Sequence, residues 1–176
     1  IGSHPFETFS FHRSLAKFSM DLRRTQDKVK AAVQACVPDI IANLKKAADD
    51  TGCRRVLFTN SRGSSTFINN KTFEDIVLPS WLEIVDALDK ADIDVAFHCD
   101  SDWTRFLPYF KEFPRGRCIL QLDGATDIYK AKEILNGHMA IQGDVPASLL
   151  TLGTPEQVYD YCKQIIEAIG KTADSF

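Results

Sequence analysis

Two strand-then-loop units stand back to back between Arg115 and Leu152, and they limit what this chain can fold into more than any other stretch. The run Cys118-Ile119-Leu120-Gln121 leads to Leu122-Asp123-Gly124, and Met139-Ala140-Ile141-Gln142 leads to Gly143-Asp144-Val145-Pro146. Between them Ile128, Ala131, Ile134 and Leu135 recur at helical spacing among charged residues, so the order is strand, helix, strand. Strands that are apolar on both faces belong to parallel sheets covered by helices, and such sheets receive ligands at the loops after the strands' C-terminal ends. Asp123 and Asp144 are therefore the first carboxylates to consider for chemistry.

The same unit recurs upstream. Arg55 to Thr59 is a strand, and the loop Asn60 to Thr66 after it is small, polar and glycine-containing. Such a loop lets backbone amides approach an anion, and Arg62 adds a bidentate hold on a carboxylate or phosphate; the composition equally suits a plain solvated connection. A second strand, Ile93 to His98, ends in His98-Cys99-Asp100-Ser101-Asp102-Trp103. The spacing predicts a long amphipathic helix from Gln26 to Asp50, kinked at Pro38, and an apolar helix capped by Thr72 that runs to about Lys90. A short or bent helix should carry Trp103, Phe106, Leu107 and Phe110 past Pro108, and Thr154-Pro155-Glu156-Gln157 is a capping box for a last helix up to Gly170. Beyond it lies a polar tail, Lys171 to Phe176. Four strands, starting near 55, 93, 118 and 139, are too few for a complete eight-stranded (β/α) barrel, which takes about 250 residues. Half of such a barrel and a small open α/β sheet both remain, and periodicity does not choose between them.

With 44% hydrophobic and 26% charged residues and a net charge of −3, the chain has ordinary globular composition, without the basic excess that nucleic acid or an anionic membrane demands. No apolar run nears the roughly 20 residues that span a bilayer. The five cysteines are odd in number, scattered and free of CxxC spacing, against a disulfide framework or a zinc ribbon and in favour of a reducing cytoplasm. Residues 1–24 are expected to form an aromatic, basic arm packed on a body spanning 25–176. Gly2-Ser3-His4 looks like the scar of a cleaved tag, so His4 is left out of the candidate site.

The run ILQLDGATDIYKAKEILNGHMAIQGDVPASLLTLGTPEQVYDYCKQII resembles the C-terminal part of the uroporphyrinogen decarboxylase family, including its corrinoid-linked methyltransferase and O-demethylase relatives. The step Gly143-Asp144-Val145-Pro146 is the sharpest landmark; Ser61 to Gly63 and the His98 strand end are further ones, and Phe9 to Arg13 and Met20 to Arg24 match more weakly. The resemblance implies an α/β fold, a partial (half) TIM-type (β/α)8 barrel of about four parallel strands with helices on the outside. Residues 25–176 would be its C-terminal half, with the site at the strands' C-terminal mouth. A half-barrel leaves two strand edges and one sheet face uncovered, so association with another copy or with the missing half is expected.

For function, the resemblance implies decarboxylation of a tetrapyrrole with several carboxylates, or alternatively methyl transfer with a corrinoid protein; a non-catalytic half-barrel that binds or assembles is a third reading. The arginine- and glycine-rich segment and the essential aspartate that decarboxylase members carry near their N-terminus have no match in this sequence. The zinc-dependent methyltransferases hold their metal with His-x-Cys and a later Cys, whereas here Cys99 follows His98 directly and no cysteine lies in the loop after Asp144. No metal and no cofactor are therefore expected. The candidate catalytic residues are His98, as ligand, general acid or hydrogen-bond donor, and Asp123. Substrate contacts are assigned to Ser61, Arg62, Gly63, Asp100, Gln142 and Asp144, with Asp127 better placed than Asp123 to cap its helix. Cys99 should point to the face opposite His98 and pack.

Overall fold

The period of two along each strand sorts the residues of the sheet onto two unlike faces. In the computed structural model, which describes residues 2–170, five strands lie parallel in the order β1-β2-β3-β4-β5. They are Gly2–Ser3, Arg55–Asn60, Asp94–Cys99, Cys118–Leu122 and Ala140–Gln142. The last four fall within a residue or two of the sequence reading. β1 is an addition: a two-residue Gly-Ser strand has neither length nor β-branching to announce itself, and only its pairing with Phe58 and Thr59 makes it one. The polar tail Lys171 to Phe176 lies outside the described residues.

One face is packed. Val56, Phe58, Val95, Phe97, Cys99, Cys118, Leu120 and Leu122 are all buried beneath the helices that follow the strands. Aromatic rings make up most of that interface. Trp81 lies 4.8 Å from Phe97 and stacks on Trp103 at 5.6 Å, while Phe110 and Phe113 close in on Phe97 at 5.6 Å and 5.0 Å. The alternate residues Leu57, Ala96, His98, Ile119, Gln121 and Ala140 stay half-exposed, so the helices cover one side only. With sequential parallel strands, this is a partial (β/α) barrel rather than a doubly wound sheet. Arg117 staples the N-terminal ends of the strands, reaching Asp89 at 2.7 Å, Asp92 at 2.9 Å and Asp94 at 3.1 Å. No helix among the described residues is long and apolar enough to cross a membrane.

Among the helices, α1 (Pro5–His12) and α2 (Leu15–Arg24) precede α3 (Gln26–Thr51), which continues through Pro38 and ends at Gly52 in the left-handed conformation. The segment expected to start at Thr72 starts earlier. Asn69 is the cap, its Oδ1 accepting from Thr72 N–H at 2.8 Å, and α4 (Asn70–Thr72) passes through a π-turn, Phe73–Val77, into α5 (Leu78–Asp89). Pro79 has no N–H to continue the ladder, and the wider turn accommodates it; Ser80 Oγ reaches Ile76 O and Val77 O at 2.9 Å in the same place. Thr104–Glu112 is a 3₁₀ helix containing Pro108, and α6 (Ile128–Leu135) is capped by Asp127, whose Oδ1 accepts from Lys130 N–H. α7 (Ala147–Leu152), too short to show a period, precedes α8 (Pro155–Ile169) with the expected Thr154–Gln157 capping box. Beside β5, these two helices leave Leu150, Leu152, Tyr159 and Ile166 exposed.

His4, set aside in the sequence, belongs to the core. It caps α1, its Nδ1 accepting from Phe6 N–H at 3.3 Å, so the proton sits on Nε2 and is donated to Ser80 Oγ at 2.8 Å. Full burial against Trp81 pushes its pKa from 6.5 down to about 3. The folded state therefore keeps His4 neutral while the unfolded chain takes up a proton below pH 6.5. Its contribution is complete above that pH and is lost on acidification toward pH 3, at about 1.4 kcal/mol per pH unit. Urea unfolding at a series of pH values should show this slope, and His4→Gln should remove it.

Gly143 sits at φ 110°, and a Cβ there would lie 2.4 Å from Leu122 O. Gly143→Ala should cost about 2–4 kcal/mol in chemical unfolding, from left-handed strain plus forced separation of β4 and β5.

Candidate functional site

Each full strand carries a polar residue close to its C-terminal end, in VLFTN, VAFHC, ILQLD and AIQGD. The parallel register brings these into one row. Ser3 pairs with Thr59, Thr59 with His98, His98 with Gln121 and Gln121 with Gln142, all on the face the helices leave open. One rung closer to the strand starts, Leu57, Ala96, Ile119 and Ala140 form an apolar row. A polar rim above an apolar floor is what a barrel mouth presents to a ligand.

His98 is the centre of that row. Its Nδ1 lies 2.6 Å from Gln121 Oε1 and its Nε2 3.3 Å from Asp100 Oδ1. Which ring nitrogen carries the proton follows from the Gln121 amide: its oxygen takes a proton from Nδ1 and leaves the Nε2 lone pair toward the open face, whereas its NH2 would leave Nε2–H to donate to Asp100. Once Nε2 gains a proton, Asp100 is positioned to hold the imidazolium. Asp123 acts one step away. Its Oδ2 accepts from Ser101 N–H at 2.9 Å and its Oδ1 from Ala125 N–H at 3.0 Å, tying the loop after β3 to the loop after β4. Thr126 Oγ1 reinforces the tie, donating to Ser101 O and accepting from Trp103 N–H. Ser101, at φ 71°, needs such support.

The remaining candidates separate into three places. Gln142 ends the polar row at the β5 edge and is exposed. Asp144 is buried, only 3% exposed, and turns toward α8, where Tyr161 OH donates to its Oδ1 at 3.1 Å. Burial raises the Asp144 pKa, and it joins with the Asp144 charge to push Tyr161 up to about 12. Ser61, Arg62 and Gly63 surround a carboxylate of the chain itself: Ser61 Oγ, Arg62 N–H and Gly63 N–H all donate to buried Glu7. The expected anion cradle thus exists and has an internal occupant. None of these residues lines the cleft of about 420 Å³ between α1, α2 and the start of α3.

Cys99 is fully buried on the helix side, its thiol pushed well above the ordinary range by desolvation, so it cannot share an ion with His98. Cys118 is buried on that same side. The donor set therefore does not fit a zinc held by one histidine and two cysteines, and no cluster of three or more His, Cys, Asp or Glu suited to a metal occurs among the described residues. Two residues escaped the sequence reading. Gln121 was detectable as the one polar residue inside an apolar strand; Glu7 had no signal, because its partner loop lies 54 positions away.

Comparison with known proteins agrees with this architecture. Methylcobamide:CoM methyltransferase MtbA from Methanosarcina acetivorans is 23% identical over 143 residues, covering 81% of this chain and 42% of that protein. The enzyme of the same name from Methanosarcina mazei is 25% identical over 143 residues, covering 81% of this chain and 41% of its own length. The chain thus spans well under half the length of these curated relatives. The uroporphyrinogen decarboxylase (URO-D) family profile matches residues 3–175, nearly the whole sequence, and on that match the chain belongs to the uroporphyrinogen decarboxylase family.

Proposed function

We propose that this chain forms part of a methyl-transfer enzyme of the family, one that moves a methyl group between a corrinoid and an acceptor carrying an acidic proton, with His98 as the base. The observation that carries this reading is the placement of His98 on the open face, between Gln121 Oε1 at 2.6 Å and Asp100 Oδ1 at 3.3 Å. In such a transfer the acceptor's lone pair forms the new bond to the methyl carbon, the carbon–cobalt bond breaks with its electrons left on cobalt, and the acceptor's proton must go elsewhere. Nε2 of His98 takes it, Asp100 steadies the resulting cation, and Gln121 keeps Nδ1 from competing. Asp123 is a positioning residue that holds the Asp100–Ser101 turn in place.

The loops after β3 and β4 present Asp100, Asp102 and Asp123 around His98, carboxylates suited to steadying a cation there. The two Methanosarcina relatives, both methylcobamide:CoM methyltransferases, point the same way. In this reading the open face and the β1 and β5 edges are completed by further strands, from the missing barrel half or another copy. A corrinoid-carrying partner would approach the mouth they enclose, and the reaction takes place in the cytoplasm.

Methyl transfer from methylcobamide to a thiol acceptor should be measured for the protein and its variants. His98→Ala should lose about 10²-fold or more in kcat/KM, and Gln121→Leu should lose less while shifting the pH profile. Unchanged turnover in His98→Ala would return that residue to a structural role, and carbon dioxide release from uroporphyrinogen without methyl transfer would put decarboxylation first. Elemental analysis should find no stoichiometric zinc in the purified protein; about one zinc per chain, lost in His98→Ala, would overturn the metal assignment.

A further inference from the structure

We propose that Glu7 and Phe11 on α1 are positioning residues that present the Arg62 guanidinium as the binding site for an oxyanion group of the substrate, a carboxylate or a phosphate. Glu7 is only 2% exposed, and its two oxygens receive Gly63 N–H at 2.7 Å, Arg62 N–H at 3.1 Å and Ser61 Oγ at 3.2 Å. The backbone donors that could have held a ligand's anion are therefore committed to Glu7. A Cβ on Gly63 would come within 3.3 Å of Glu7 Oε1 and 3.4 Å of the Trp103 ring, so the loop is pinned from both sides.

The Arg62 side chain is tied to the same helix. Its Nη1 donates to Ser10 O at 2.6 Å, and its guanidinium carbon lies 3.9 Å from the centroid of the Phe11 ring. Phe11 is 57% exposed, too exposed for a core residue, and this contact accounts for a large aromatic at the surface. The bond to Ser10 uses one of five N–H donors, which leaves the fork able to take a carboxylate or phosphate in two-point fashion. Glu7 thus fixes the backbone of the loop, Ser10 and Phe11 fix the side chain, and the rigid α1 carries all three.

This inference rests on the strand-end face being the substrate site, and its test separates the two. In the ¹⁵N-labelled protein, the Arg62 Nε–H and Gly63 N–H resonances are followed during titration with succinate and, separately, with inorganic phosphate. The wild type should show saturable shifts at Arg62 Nε–H and Gly63 N–H, and the Gly63 shift should be lost in Arg62→Lys. Phe11→Ala, a surface change that leaves the core intact, should weaken binding about three- to tenfold. Glu7→Gln should also weaken it, although removing a negative charge would by itself tighten the hold on an anion; the sign of the change therefore distinguishes positioning from simple electrostatics. Should Glu7→Gln fail to fold, Glu7→Asp, which keeps the charge but falls short of the three donors, takes its place. Wild-type affinity or tighter in both the Phe11 and Glu7 variants, with Arg62→Lys still defective, would overturn the positioning role and leave the anion site standing. No saturable shift in the wild type would overturn the site itself, whatever the methyl-transfer assay shows for His98.

Discussion

Burial of the Trp81, Phe97, Trp103 and Phe110 cluster between helices and sheet is the contact on which the other features depend. Four rings packed within 4.8–6.3 Å of a neighbour hold α5, β3 and the 3₁₀ helix together. Each buries on the order of 150–250 Å². Because side chains alternate along a strand, committing Phe97 and Cys99 to that side obliges His98 to face the other. The core thereby determines which residues are left for chemistry.

A base on an open sheet face also needs support, and the loops supply it. Asp123 and Thr126 fasten the turn that carries Asp100, and Trp103 Nε1 donates to Asp100 O at 2.8 Å, so the aromatic core also holds the turn beside the polar row. On the other side of the row, Ser65 N–H and Oγ bind Asp102 O, joining the loop after β2 to the loop after β3. Three consecutive loops are thus cross-linked at the strand C-termini. The strand N-termini have a simpler arrangement, with Arg117 among three aspartates, as expected for the end of a barrel that provides stability rather than catalysis.

The elements with a strong period were legible: the 26-residue α3, the strands at 55, 94 and 118, and the capping box of α8 all follow from spacing and end signals. Family membership was legible too, from the Gly143 to Pro146 step. What escaped depends on tertiary partners. β1 exists only through its pairing, the π-turn only through the conflict between Pro79 and the helical ladder, and Glu7 only through a loop far along the chain. His98 was identified as a candidate, but its tautomer was not, since that depends on Gln121 standing opposite it in register.

The central claim is that the sheet's open row fixes His98 with its proton on Nδ1 and its lone pair on Nε2. Long-range ¹H–¹⁵N correlation of the imidazole rings at about pH 8, where a free histidine is neutral, tests it directly. The account predicts opposite tautomers in one spectrum, Nδ1–H for His98 beside Gln121 and Nε2–H for His4 beside Ser80. An Nε2–H signature for His98 would contradict it, because no lone pair would then face the substrate side.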